Sequence, residues 1–297
     1  MNPPPNSTEQ SGGVNFGSGN QAAVNDVIGR DKVVHNHYSP LPTGPQIPKP
    51  PGAARLRGRA ELLDELAACL PSIPLLALEG LPGVGKSSLA LALANHPLVI
   101  EQFPHGRLWL EFGPEANVYD LLGRALLLFG QPLEALREQA ERQARLQQLL
   151  ADQQCLLLLD DLWQVGQAQP FLLATSASTR VVITLRRASL AADLGAHIRA
   201  VPTLSNPAAQ AMLGDGGPSA QQAVAMAPAA ATALSKTLGH LPLALHVAAR
   251  RLNRLAHSRG ASGAVARLQA EVAHGTEHLL QLPAAQPAWA LTELNLR

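Results

Sequence analysis

Apolar positions change their spacing twice along the chain. From residue 55 to about residue 202, short continuous apolar runs alternate with stretches in which Leu and Ala recur every three or four positions. The runs are 75–78, 106–112 (G-R-L-W-L-E-F), 154–163 with four consecutive leucines, 179–187 (T-R-V-V-I-T-L-R-R) and 197–201. The leucine run at 154–163, bounded by polar residues, suits a strand buried on both faces of a parallel sheet; the others read as further strands, with 197–201 a candidate for the last one. Helices are predicted at 60–70, where Leu62, Leu66, Cys69 and Leu70 share a face and Pro71 ends the run, and at 88–94, 118–129 and 133–150. Along the last, Glu138/Arg142 and Glu141/Arg145 have i,i+4 spacing and predict a solvated face. Beyond Pro202 the pattern is helical and Ala-rich at 207–213, 220–238, 241–257 and 265–280, with a break at 214–218. The expected fold is therefore α/β, a parallel sheet with helices on both faces, followed by a small all-α subdomain.

Residues 1–54 have a different pattern. Residues 1–20 are mostly Pro, Asn, Ser and Gly and predict no packed core. Residues 22–28 and 32–38 are β-prone runs joined by Gly29-Arg30-Asp31, able to close as a hairpin or stack with copies of themselves; the alternative is an unstructured leader. His35 and His37 share one strand face, but two ligands make a poor metal site. Residues 39–52 carry six prolines in fourteen, a stiff spacer. The domains expected are a leader at 1–38, a linker at 39–54, an α/β domain at 55–202 and a helical subdomain at 203–282.

Composition narrows the function classes. A net charge of +1 argues against a sequence-independent grip on nucleic acid. The arginines at 250, 251, 254 and 259 are most simply cations near a helix C-terminus. No apolar stretch reaches about 18 residues, so no membrane span is expected. The first residues lack the basic and apolar regions of a signal peptide, and the two cysteines form no C-x-x-C pair. A cytoplasmic location is the resulting expectation.

Residues 80–88, G-L-P-G-V-G-K-S-S, stand between a predicted strand and a predicted helix. In that context G-x-x-x-x-G-K-[ST] is a phosphate-binding loop. Gly80, Gly83 and Gly85 let backbone N–H groups turn inward, and the helix start behind them adds further unpaired donors. Lys86 is placed to reach β- and γ-phosphates, and the Ser87 hydroxyl to ligate Mg²⁺. A chain of this composition would match the motif by chance about 0.002 times. Downstream, Asp160 and Asp161 end the leucine strand, where open α/β sheets bind ligands. Asp160 is suited to the Mg²⁺ shell, and Asp161 to orienting or deprotonating a water. Paired acids there could instead cap the next helix. Arg186 and Arg187 end the following strand; one of them is placed to read a γ-phosphate, the rival being a solvated basic turn.

Taken together, these motifs resemble the NB-ARC (AP-ATPase) branch of the STAND signal-transduction NTPases. That branch includes plant disease-resistance proteins, apoptosome scaffolds and bacterial relatives. The resemblance covers about residues 55–282 and rests on L-R-G-R at 56–59, the whole loop from Gly80 through Pro82, Gly83, Val84, Gly85, Lys86, Ser87 and Ser88, F-P-H-G-R-L-W-L at 103–110, L-L-L-L-D-D-L-W at 156–163, T-R-V-V-I-T-L-R at 179–186 and G-H-L-P-L-A-L at 239–245. It implies that Gly58 and Arg59 lie against adenine, that Pro242 packs on the base, and that Arg186 senses the γ-phosphate. It also implies ATP or ADP with Mg²⁺ as ligands and a signalling switch, at most a slow ATPase, that controls self-assembly and an effector reached through the leader. Bacterial defence or programmed cell death is the implied setting. The nucleotide-binding part of a transcription regulator is the alternative. The family continues into a winged-helix domain, of which residues 283–297 read as the start, so autoinhibition through that domain's histidine does not carry over.

Overall fold

The computed structural model describes residue 52 and residues 56–280. The leader, all of the linker except residue 52, and residues 283–297 lie outside the described residues. Five parallel strands, β1 (Leu75–Glu79), β2 (Gly106–Glu111), β3 (Cys155–Leu162), β4 (Arg180–Leu185) and β5 (His197–Ala200), form one sheet in the order β2-β3-β4-β1-β5. Because β1 inserts between β4 and β5, residues far apart in the chain end side by side at the carboxyl edge.

Each face of the sheet is covered. Helices α1 (Ala60–Cys69), α2 (Lys86–Ala94) and α3 (Pro97–Gln102) pack on one side, where Leu66, Leu89 and Val99 meet Leu76, Leu78, Leu156, Leu158 and Val182. On the other side α4 (Val118–Leu128), α5 (Gln139–Leu150), α6 (Val165–Leu173) and α7 (Ala188–Asp193) bury Leu122, Leu146, Phe171 and Leu190 against Ala77, Leu110, Leu157, Leu159 and Ile183. Burial on both faces is why β1, β3 and β4 read as continuous apolar runs, whereas the edge strand β5 is largely exposed. After β5, helices α8 (Asn206–Gly214), α9 (Pro218–Met226), α10 (Pro228–Thr237), α11 (Pro242–Arg259) and α12 (Ala264–Leu280) enclose a separate core of Leu213, Leu234, Leu245 and Leu252.

Three local expectations are corrected. The single helix expected at 220–238 is two, α9 and α10, because Pro228 lacks the N–H that would continue the ladder. The helix expected from residue 133 begins at Gln139, where Glu138 is the N-cap and forms a capping box with Glu141. The Glu138/Arg142 pair therefore does not form. Arg142 is buried instead, donating to the carbonyls of Leu136 (3.0 Å) and Tyr119 (2.8 Å) with its guanidinium 3.5 Å over the Tyr119 ring. Arg145 bonds the Gln131 side chain rather than Glu141. The short helices α3, α6 and α7 have no counterpart in the periodicity, since one or two turns give too few repeats to stand out.

Candidate functional site

The site grows from the turn after β1. Gly83 and Gly85 have φ of 76° and 92°, in the left-handed region that side-chain-bearing residues resist. Gly85 is the N-cap of α2 and offers no side chain, so the first N–H groups of that helix face outward without an intrahelical partner. Lys86 opens α2 yet is buried; its Nζ turns back to donate to the carbonyls of Gly80 (2.8 Å) and Leu81 (3.1 Å). Burial, and then the neighbouring Arg186, hold the Lys86 ammonium below the ordinary lysine range, against the opposite pull of Asp161, Glu79 and Asp160.

Across the carboxyl edge β3 contributes the acids. Asp160 is buried, and its carboxylate accepts a hydrogen bond from Thr184 Oγ1 at 2.5 Å and another from the Ser87 hydroxyl. Burial pushes the Asp160 carboxyl up, those two hydroxyls oppose the shift, and the charges of Asp161 and Glu111 add to it. The same Thr184 oxygen accepts the Asp161 N–H at 2.9 Å. That bond crosses the point where the β3–β4 register shifts and Asp161 takes a φ of 56°. The Asp161 carboxylate receives the Trp163 indole N–H at 3.0 Å and lies 3.6 Å from Arg186. The Arg186 guanidinium sits 4.6 Å over the Trp163 ring. Of the two arginines ending this strand, Arg186 lines the cavity, whereas Arg187 donates to the Trp163 carbonyl (3.0 Å).

The opposite wall is built by the first loop and the helical part. Arg59 is buried, donating to the carbonyls of Val84 and Pro202, each at 2.7 Å; it fastens the glycine turn to the chain leaving β5. Gly58 has a φ of 61°, and a Cβ there would lie 2.5 Å from the Ala208 Cβ on α8, so the turn needs glycine for close approach. Arg57 makes a two-pronged contact with Asp215, at 2.8 and 2.5 Å, just past α8. At the start of α11, Pro242 stands over the glycine turn and the Leu243 N–H donates to the Gly83 carbonyl at 3.1 Å.

These groups enclose a cavity of about 800 Å³, within the roughly 300–1,000 Å³ of small-molecule sites. Its lining brings together Arg59, Pro82, Gly83, Val84, Gly85, Lys86, Ser87, Ser88, Asp160, Asp161, Arg186 and Pro242 from the sequence-predicted set. Gly58 and Gly80, also in that set, are not among the lining residues. Glu111, Thr184, Leu204, Met212, Asp215 and His246 also line it and were not anticipated. For Thr184 a signal existed: it lies two positions before Arg186 in a strand, hence on the same face. The others depend on strand order and on the placing of the helical part, which spacing does not carry.

The donor set suits a polyphosphate with a divalent ion. Unpaired N–H groups and Lys86 stand at one side, and the Ser87 hydroxyl and Asp160 carboxylate already touch each other. Among the described residues no group of three His, Cys, Asp or Glu could hold a metal alone, so Mg²⁺ would need phosphate oxygens and water to complete its shell. No helix among the described residues is long and apolar enough to cross a membrane.

Residues 59–207 match the family model of the NB-ARC domain. The chain is 28% identical over 146 residues to disease resistance protein RGA2 of Solanum bulbocastanum, covering 46% of this chain and 14% of that protein. It is 30% identical over 118 residues to an RPP13-like disease resistance protein of Arabidopsis thaliana, covering 38% and 14%. The chain thus spans about a seventh of the length of either relative. Among solved structures it is similar to C. elegans PCH-2 (TM-score 0.48, 13% identity, 74% of this chain and 70% of that one). It is also similar to a Walker-type ATPase of Pyrococcus abyssi (TM-score 0.46, 16% identity, 78% and 77%).

Proposed function

The chain belongs to the NB-ARC family, and from that premise we propose that it is an adenine-nucleotide switch. ATP or ADP occupies the cavity, with its phosphates on the glycine turn and Lys86, and with Ser87 and Asp160 holding Mg²⁺. The base lies on the side of Arg59 and Pro242, both of which line the cavity. Arg186 answers to the γ-phosphate. Mg²⁺, when bound, spreads the phosphate charge and orients the terminal group.

One observation carries this reading: the Leu243 N–H to Gly83 carbonyl bond, with Pro242 beside it, joins the helical part to the loop that would hold the phosphates. Whatever fills the cavity must therefore act on both parts at once, the requirement for a two-state element. Moving such a switch from mostly closed to mostly open takes about 5.5 kcal/mol of differential binding. Charge-assisted contacts from Arg186, Lys86 and Mg²⁺ to one extra phosphate, at about 1.5–3 kcal/mol each, are of that size. Hydrolysis, where it occurs, is slow and resets the switch. Self-assembly and signalling to an effector, in a defence setting, are the outputs; the similarity to plant disease resistance proteins supports that setting.

Calorimetric titration with Mg·ADP and Mg·ATP tests the reading. Binding heat with either is expected, and its absence with both overturns the switch. Arg186→Ala should keep ADP affinity and lose the preference for ATP over ADP by roughly 10–100-fold, the worth of one charged hydrogen bond. An unchanged ATP/ADP ratio would remove Arg186 from sensing.

A further inference from the structure

The carboxylate that closes β2 has no role in the switch described so far. Glu111 stands opposite Asp160 in the parallel β2–β3 ladder. Two positions back on each strand, Trp109 and Leu158 pack into the core beneath α2. Side chains two apart on a strand share a face, so Glu111 and Asp160 leave the sheet together on the side that carries the glycine turn. Glu111 is exposed and lines the same cavity as Lys86 and Ser87. Among the described residues its carboxylate makes no hydrogen bond or ion pair, and its charge acts on Asp160 alone at a distance.

Asp161 is placed differently. One of its carboxylate oxygens receives the Trp163 indole N–H, and the other faces Arg186. Its arm is also one methylene shorter than that of Glu111. Asp160 is engaged by Thr184 and Ser87. Of the three carboxylates that β2 and β3 bring to the cavity, only Glu111 is both long and free, and it sits on the open flank of the sheet because β2 is an edge strand.

Resting on the nucleotide-switch reading, we propose that Glu111 is the general base for ATP hydrolysis in this chain. Its carboxylate accepts a proton from a water as the water oxygen bonds the γ-phosphorus. The bond from that phosphorus to the β–γ bridging oxygen breaks, and its electron pair leaves with ADP. The proton on Glu111 then passes to solvent, restoring the carboxylate. Asp161, paired with Arg186 and Trp163, positions the sensing arginine.

Glu111→Gln keeps shape and removes the base, and its surface position makes folding robust. Hydrolysis is expected to fall by about 100-fold or more, the usual worth of a positioned base. A second readout does not depend on turnover. Thermal stabilisation by Mg·ADP with beryllium fluoride, which mimics bound ATP, should be unchanged. The added stabilisation by Mg·ADP with aluminium fluoride, which mimics the attacked phosphoryl group with its in-line water, should be lost. Wild-type hydrolysis in Glu111→Gln overturns the assignment, as does loss of both stabilisations, which would make Glu111 part of the binding shell. A wild-type protein that binds ATP without any turnover also overturns it. Failure of the wild-type protein to bind any nucleotide refutes the switch itself.

Discussion

Lys86→Ala is expected to abolish the thermal stabilisation that Mg·ADP and Mg·ATP give the wild-type protein, with affinity falling by about 100-fold or more. The Lys86 ammonium is buried and already turned inward, held by two carbonyls of its own loop. Burial and Arg186 make that positive charge costly in the empty site. A polyphosphate supplies the compensating negative charge, so the lysine should contribute more to the bound state than to the free one. Two charged hydrogen bonds at about 1.5–3 kcal/mol each account for the size of the loss. Folding should survive, because Lys86 lines the cavity and its truncation lets water in beside the carbonyls of Gly80 and Leu81. Differential scanning fluorimetry with and without nucleotide measures both quantities. Unchanged Mg·ADP affinity would place the phosphates elsewhere.

The parts of this site that were legible in the sequence are those whose chemistry is local. Glycines at 80, 83 and 85, Lys86 and Ser87 occupy one turn, and the turn's geometry follows from their residue types. Leu156 to Asp160 was legible because a strand buried on both faces leaves an unbroken apolar run and then a polar end. Glu111 was not, since only the pairing of β2 with β3 brings it beside Asp160. Nor was the Arg57–Asp215 contact, which joins residues 158 positions apart through the packing of α8 on the first loop. Arg142 misled for another reason: charge spacing predicts a solvated face, but the guanidinium found carbonyls and a tyrosine ring to satisfy it in the interior. At Pro228, an Ala-rich periodicity outweighed a visible breaker and concealed the junction between α9 and α10.

Asp160→Asn should move stability and binding in opposite directions. Burial has raised the folded-state pKa of Asp160 above its unfolded value, and Asp161 and Glu111 add to the effect. For a carboxyl raised in this way, the unfolded chain gives up its proton more readily than the folded one. The ionised group therefore weakens folding at neutral pH, and the penalty fades as pH falls through the raised pKa. Asparagine removes the charge, while its Oδ1 still accepts the Thr184 hydroxyl now seated at 2.5 Å. The nucleotide-free variant should thus melt higher than the wild type near neutral pH. The gain should disappear under acid conditions, where the wild-type carboxyl is also neutral. Stabilisation by nucleotide should meanwhile lose its dependence on Mg²⁺, because an amide is a weak ligand for a hard cation that prefers carboxylate oxygen. Melting curves across pH, with nucleotide and with or without magnesium, separate the two effects. A variant that melts lower at neutral pH and keeps its magnesium response would mean that Asp160 is a structural acceptor for Thr184 and Ser87 and nothing more.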